Sequence, residues 1–151
     1  MQSTCPINHT SVDANTVRAV ALLVVAIVAV FLLTGSPLII LALVPDFLVR
    51  AAGYPGLSPL ARLASGLVRL LELKPRATDS APKRFAAGIG VAFTVTAGLL
   101  ALAGLAVPAA VVAAILLACA ALEGIVGFCL GCRVYMLLPR ALFGHGTARG
   151  A

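Results

Sequence analysis

Cys129 and Cys132, in the run Gly127-Phe128-Cys129-Leu130-Gly131-Cys132-Arg133, are the pair in this 151-residue chain whose spacing suggests bond-making chemistry. On a continuous helix, residues three apart share a face with Cβ atoms roughly 5–6 Å apart, whereas a disulfide needs about 3.5–4.5 Å. Closing the bond takes local bending, and Gly131 between the thiols supplies that freedom. A single CxxC supports dithiol exchange and is also half of a zinc site. It completes neither, and two small residues packed near a helix end would look the same. The pair follows the last apolar run, so a helix continuing through that run places the thiols at its C-terminal end, where the dipole opposes thiolate formation. Arg133 is adjacent and could offset that penalty, as could Arg18 or Arg84 if folding brings them near.

If the first two apolar runs form a hairpin, Cys5 is the natural third thiol, either a resolving cysteine or a third metal ligand; otherwise it is a terminal cysteine without a role. With Cys129, Cys132 and His9 it would form a donor set for a soft transition metal. Cys119, deep in the last apolar run, reads as a small buried hydrophobe. Glu123 is the acidic residue well inside an apolar run, and an ionisable group in lipid is a functional candidate by default. Two roles suit it: a proton-relay carboxylate, or an ion-pair partner for Arg18, Arg84 or Arg133, of which the ion pair is the better reading. His9 and His145 sit among polar residues or glycines and read as solvated. No HExxH, phosphate-binding loop, nucleophile elbow or dinucleotide fingerprint occurs, so no cofactor is required by the sequence.

The elements that must carry these groups lie in lipid. With 62% hydrophobic residues, 11% charged and no Trp, the chain has too few polar residues to cover a water-soluble core. Four apolar stretches emerge, at about 17–33, 37–52, 85–105 and 108–128. The last two are long enough to span about 30 Å of hydrocarbon as helices, and the first is marginal. The second meets Pro45 and Asp46 after a short apolar run, so it could be a tilted span, a re-entrant hairpin or the continuation of a kinked first helix. The expected fold is therefore an all-α integral membrane protein: a four-helix transmembrane bundle, second span short or re-entrant, forming a single membrane domain over 1–151.

Charge sets the orientation. Arg50, Arg62, Arg69, Lys74, Arg76, Lys83 and Arg84 fall in or beside the loop 53–84, and Arg133, Arg140 and Arg149 fall in the tail 129–151. The short connections at 34–37 and 104–107 carry no charge. With four spans, both termini and the central loop lie in the cytoplasm, as the positive-inside tendency prefers; if the first two runs are a single helix, the loop and tail stay there and the N-terminus crosses over. These basic residues are scattered and lack interleaved aromatics, which argues against nucleic acid. Within the loop, Ser58-Pro59 opens a helix with Leu60, Leu63, Leu67, Leu70 and Leu71 along one side and Arg62 and Arg69 on another. An amphipathic helix in the membrane interface follows, or a short core helix against the bundle. Gly127 and Gly131 make a GxxxG, and Gly88 with Gly90 thins the third run, as in close helix packing or homo-oligomers.

Several segments together resemble the bacterial membrane family called domain of unknown function 4395. They are Cys5-Pro6, Pro45-Asp46-Phe47 with Arg50, Ser58-Pro59-Leu60, Ala81-Pro82-Lys83-Arg84-Phe85-Ala86 with Ile89-Gly90, and Leu122-Glu123 with Gly127-Phe128-Cys129-Leu130-Gly131-Cys132. The resemblance implies a small bacterial inner-membrane protein associated with thioredoxin-like or sulfurtransferase (rhodanese-like) partners, and supplies no activity. The reading it leaves is a cytosol-facing dithiol that exchanges electrons or sulfane sulfur with a soluble partner. The alternatives are a metal-binding membrane protein and a structural subunit without chemistry.

Overall fold

The computed structural model describes residues 12–78 and 80–138. Helix α1, Ala14–Thr34, starts where Asp13 accepts the Asn15 N–H at 3.2 Å and the Thr16 hydroxyl at 3.2 Å. Satisfying first-turn donors in this way fixes the start of a helix. The same carboxylate accepts the Arg76 N–H at 2.9 Å, and two short strands, β1 (Val12–Asp13) and β2 (Ala77–Thr78), pair antiparallel with Val12 opposite Thr78. The start of α1 is thus tied to the segment leading into the next long helix. Gly35, at φ 69°, ends α1 and returns its N–H to the Phe31 carbonyl, a left-handed cap that glycine adopts without a Cβ penalty.

The second apolar run is not one helix. It forms α2, Pro37–Leu41, and α3, Leu43–Ala51. Pro45 has no N–H to give the Leu41 carbonyl and its ring crowds that position, so the ladder breaks there. The two pieces run antiparallel to α5, Ser80–Leu102. Leu41 sits at Gly98, Phe47 at Gly90, and Gly53 at the Arg84 guanidinium. At Gly98 and Gly90 a Cβ would overlap the Leu41 and Phe47 side chains, which is why small residues occupy α5 there. Gly88 has open space around it, so the close approach uses Gly90 and not the Gly88–Gly90 pair expected.

Helix α4, Pro59–Leu70, packs on α1 through Ala61, Ala64 and Val68, while Leu63, Leu67 and Leu70 face outward. The leucine side expected to dip into the interface is therefore exposed, and a row of smaller residues makes the protein contact. The chain then passes through α5, turns at Gly104, and returns as α6, Ala106–Ala121, whose last turn widens into a π-helix over Leu122–Val126. Leu22 of α1 packs over Gly124, so α1 and α6 are antiparallel. The last helix among the described residues, α7, covers Leu130–Leu137.

Among the described residues, three helices are long and apolar enough to cross a membrane: Ala14–Thr34, Ser80–Leu102 and Ala106–Val126. At about 1.5 Å per residue each reaches about 31 Å or more, matching a hydrocarbon core. At 5 and 9 residues, α2 and α3 are not of that length. Val28, Ile40, Ala64, Ala97 and Ala113 are fully buried at the centre. Leu33, Leu38, Leu99, Leu102 and Val107 lie outside, each more than half exposed. An apolar outer surface of this extent marks a face made for lipid. The chain is a multi-pass membrane protein.

Candidate functional site

The two cysteines do not sit on a continuing helix. Gly127, at φ 76°, ends the π turn of α6 and returns its N–H to the Glu123 carbonyl. Cys129 is extended, at φ −94° and ψ 109°, and is the N-cap of α7. Its Sγ accepts the Cys132 N–H at 3.4 Å. Both thiols are free and half-buried. This reverses the expected electrostatics: the pair lies at a helix N-terminus, where partial positive charge favours thiolate, and not at a C-terminal end. The GxxxG pair is likewise split, with Gly127 at the break and Gly131 inside the new helix.

The pair is asymmetric. The neighbouring Cys132 thiol, with the Cys132 N–H and the Lys83 ammonium, holds Cys129 below its ordinary thiol pKa despite burial and the Glu123 charge. The same pairing with the Cys129 side chain, then burial, then the Cys129 charge push Cys132 upward. Such a division suits dithiol exchange, with Cys129 the more readily ionised thiol and Cys132 the one that keeps its proton.

Helix α7 is held against the start of α5 by close contact. A Cβ on Gly131 would lie 2.7 Å from the Ala86 Cβ, and the Phe85 and Tyr135 rings meet at 5.5 Å between centroids, inclined by 52°. One turn before Ala86, Lys83 reaches Glu123 with Nζ–Oε1 at 2.6 Å. Glu123 is thus ion-paired, but with Lys83 and none of the three arginines considered from sequence. Arg18 instead donates to the Gly124 and Ile125 carbonyls at 3.3 and 2.7 Å, capping the end of α6. Arg84 donates to the Ala51 and Ala52 carbonyls at the end of α3. Arg133 is exposed, with its guanidinium 5.2 Å from the centre of the Phe128 ring; its partner is that ring.

Cys119 lies partly buried in α6. Cys5 and His9 lie outside the described residues. Among the described residues no three His, Cys, Asp or Glu side chains converge as a metal-ligand set.

A second polar cluster escaped the sequence reading. Asp46, 3% exposed, accepts the Ser58 hydroxyl and the Leu60 N–H at 3.1 Å on one oxygen, and the other lies 3.0 Å from the Arg50 Nε. Ser58 Oγ in turn accepts the Ala61 N–H at 3.1 Å, capping α4. Arg50 also lies over the Phe47 ring at 4.5 Å. The four-residue spacing of Asp46 and Arg50 and the Ser58-Pro59 cap were the available signals. Lys83 carried no signal that separated it from Arg84 beside it.

No curated protein and no solved structure matches the chain. Residues 12–140 match the family described as Domain of unknown function (DUF4395), a span that holds the three long helices, the Asp46–Ser58 cluster and the CxxC, and the chain belongs to that family.

Proposed function

We propose that the protein is a membrane-embedded dithiol carrier that exchanges a disulfide, or sulfane sulfur, with a soluble thioredoxin-like or sulfurtransferase partner on the cytoplasmic side. The observation that carries this reading is Cys129 as N-cap of α7, with Cys132 one turn on and both thiols free. The Cys129 thiolate attacks one sulfur of a partner disulfide, forming a mixed disulfide and releasing the first partner thiolate, which takes a proton. Cys132, giving up its proton, then attacks the Cys129 Sγ and releases the second partner thiolate, which is protonated in turn. Two electrons pass to the partner, whose disulfide becomes a dithiol as Cys129–Cys132 becomes a disulfide. With a partner persulfide, the thiolate takes the terminal sulfur and the partner is left as thiolate.

Orientation follows from charge. The dithiol shares one end of the bundle with Arg18, Lys83 and Arg84, and the positive-inside tendency places that end in the cytoplasm. The four-crossing arrangement, with α2 and α3 as a short second crossing, belongs to the same proposal.

Replacing Cys132 by Ser removes the resolving thiol, so a partner accumulates on Cys129 as a mixed disulfide that reductant releases. A dithiol that stays reduced across glutathione and thioredoxin potentials, with nothing trapped by the Cys132→Ser variant, sinks the exchange. For orientation, single cysteines at Ser36 and Ser65 in a cysteine-free chain should react with an impermeant maleimide from opposite sides. Labelling at Ser65 and protection at Ser36 in intact cells inverts the arrangement.

A further inference from the structure

We propose that the bundle holds a second site, which borders the dithiol but does not use its thiols: a chamber that binds a phosphate-type oxyanion. A cavity of about 630 Å³ opens between α1, α3, α4 and the start of α5. Five cations line it, Arg50, Arg62, Arg69, Lys83 and Arg84, against the carboxylates of Asp13 and Glu123.

Both carboxylates are already engaged. Glu123 pairs with Lys83, and Asp13 accepts the N–H groups of Asn15 and Arg76 and the Thr16 hydroxyl at the start of α1. Among the described residues Arg62, Arg69 and Arg84 form no carboxylate pair. Arg62 donates to the Gly56 carbonyl and Arg84 to the Ala51 and Ala52 carbonyls. These bonds hold the guanidinium groups in place without neutralising them. Arg50 completes the set: its Nε lies against Asp46, but its Nη2 is buried without an acceptor. Buried donors without partners are rare in folded proteins, and a bound anion would give this one its acceptor.

The chemistry of the missing partner follows from the donors. Guanidinium groups on α3, α4 and α5 that share one cavity call for a compact anion with several acceptor oxygens, and the arginine fork fits a phosphate group bidentately. The cavity is far larger than one such group, and Val17, Val20, Phe47 and Ala87 give it an apolar wall. It therefore has room for an organic body attached to the anion. The outward leucines of α4, Leu63, Leu67 and Leu70, place lipid beside the chamber. The oxyanion has two sources, an anionic phospholipid headgroup and a free phosphate.

The full chain, purified in neutral detergent, is titrated in two arms: inorganic phosphate against chloride at equal ionic strength, followed by calorimetry, and phosphatidylglycerol against phosphatidylcholine, followed by native mass spectrometry. Saturable, one-to-one binding is expected in at least one arm; the arm that responds identifies the source. The exposed pair Arg62→Gln with Arg69→Gln should weaken it at least about tenfold, the scale of one lost charge-assisted hydrogen bond. Arg50→Lys keeps a charge beside Asp46 but removes the orphaned N–H, and should weaken it as well. The Cys129→Ser, Cys132→Ser variant should bind as the parent does, so failure of the dithiol reading leaves this result intact. Absence of saturable binding in both arms, binding unaltered by the arginine substitutions, or loss in the cysteine variant would each overturn the proposal.

Discussion

Where Gly35 and Gly104 turn the chain, the connections run through Thr34, Ser36 and Leu105 and carry no charge. At the opposite end, Asp13, Arg50, Lys83, Arg84 and Glu123 gather around a cavity, Arg18 holds the end of α6, and the dithiol lies beside Lys83 and Glu123. Both ends must close several helix termini, and they do so differently. The apolar end uses tight glycine caps, which satisfy backbone groups with almost no side chain. The charged end uses side chains: Asp13 and Ser58 start α1 and α4, Arg18 and Arg84 finish α6 and α3, and Cys129 starts α7. A capping side chain can also do chemistry, whereas a capping glycine cannot. Function is therefore expected at the charged end alone.

The largest test of this contrast is at Asp46. Its carboxylate joins α3 to the start of α4 and balances Arg50, so Asp46→Ala leaves a buried guanidinium unpaired and should cost about 3–5 kcal/mol. Thermal unfolding in detergent reads the loss, and a variant as stable as the parent would break the claim that this cluster supports the charged end. Gly98→Leu tests the packing towards the other end. Added atoms must displace Leu41, at an expected cost of about 1–3 kcal/mol. A fully stable variant would mean that α2 does not press on α5.

The next prediction concerns pH. With Cys129 held below and Cys132 above the ordinary thiol pKa, alkylation of Cys129 should remain fast as pH falls below the usual thiol range and fade only through its own lowered pKa. Cys132 should react only at more alkaline pH. Glu123→Gln removes a charge that raises the Cys129 pKa, so it should move the Cys129 profile to lower pH, and Lys83→Met should move it to higher pH. Peptide-resolved alkylation rates give both profiles; coincident curves for the two thiols would remove the asymmetry. The smallest effect is expected at Gly88, where a Cβ meets open space. Gly88→Ala should be neutral or stabilise α5 by about 0.5–1 kcal/mol, while Gly90→Ala, against Phe47, should destabilise it.

Composition and hydrophobic run length determined that this chain lives in a bilayer, because three stretches of some twenty apolar residues leave a helix no other solvent. Local rules also marked Pro45 as an interruption of the second run and Ser58-Pro59 as the start of the helix that follows, since each depends only on neighbours along the chain. The CxxC was equally legible as a pair. Its electrostatics were not, because whether Cys129 ends one helix or begins another turns on Gly127 adopting a left-handed conformation and on Gly131 docking against Ala86, more than forty residues away. The choice of Lys83 over Arg18, Arg84 or Arg133 for Glu123 was likewise a matter of packing. So was the gathering of five cations around one cavity. Charges far apart in sequence carry no mark of where they will meet, and only the helix contacts of the folded chain bring them together.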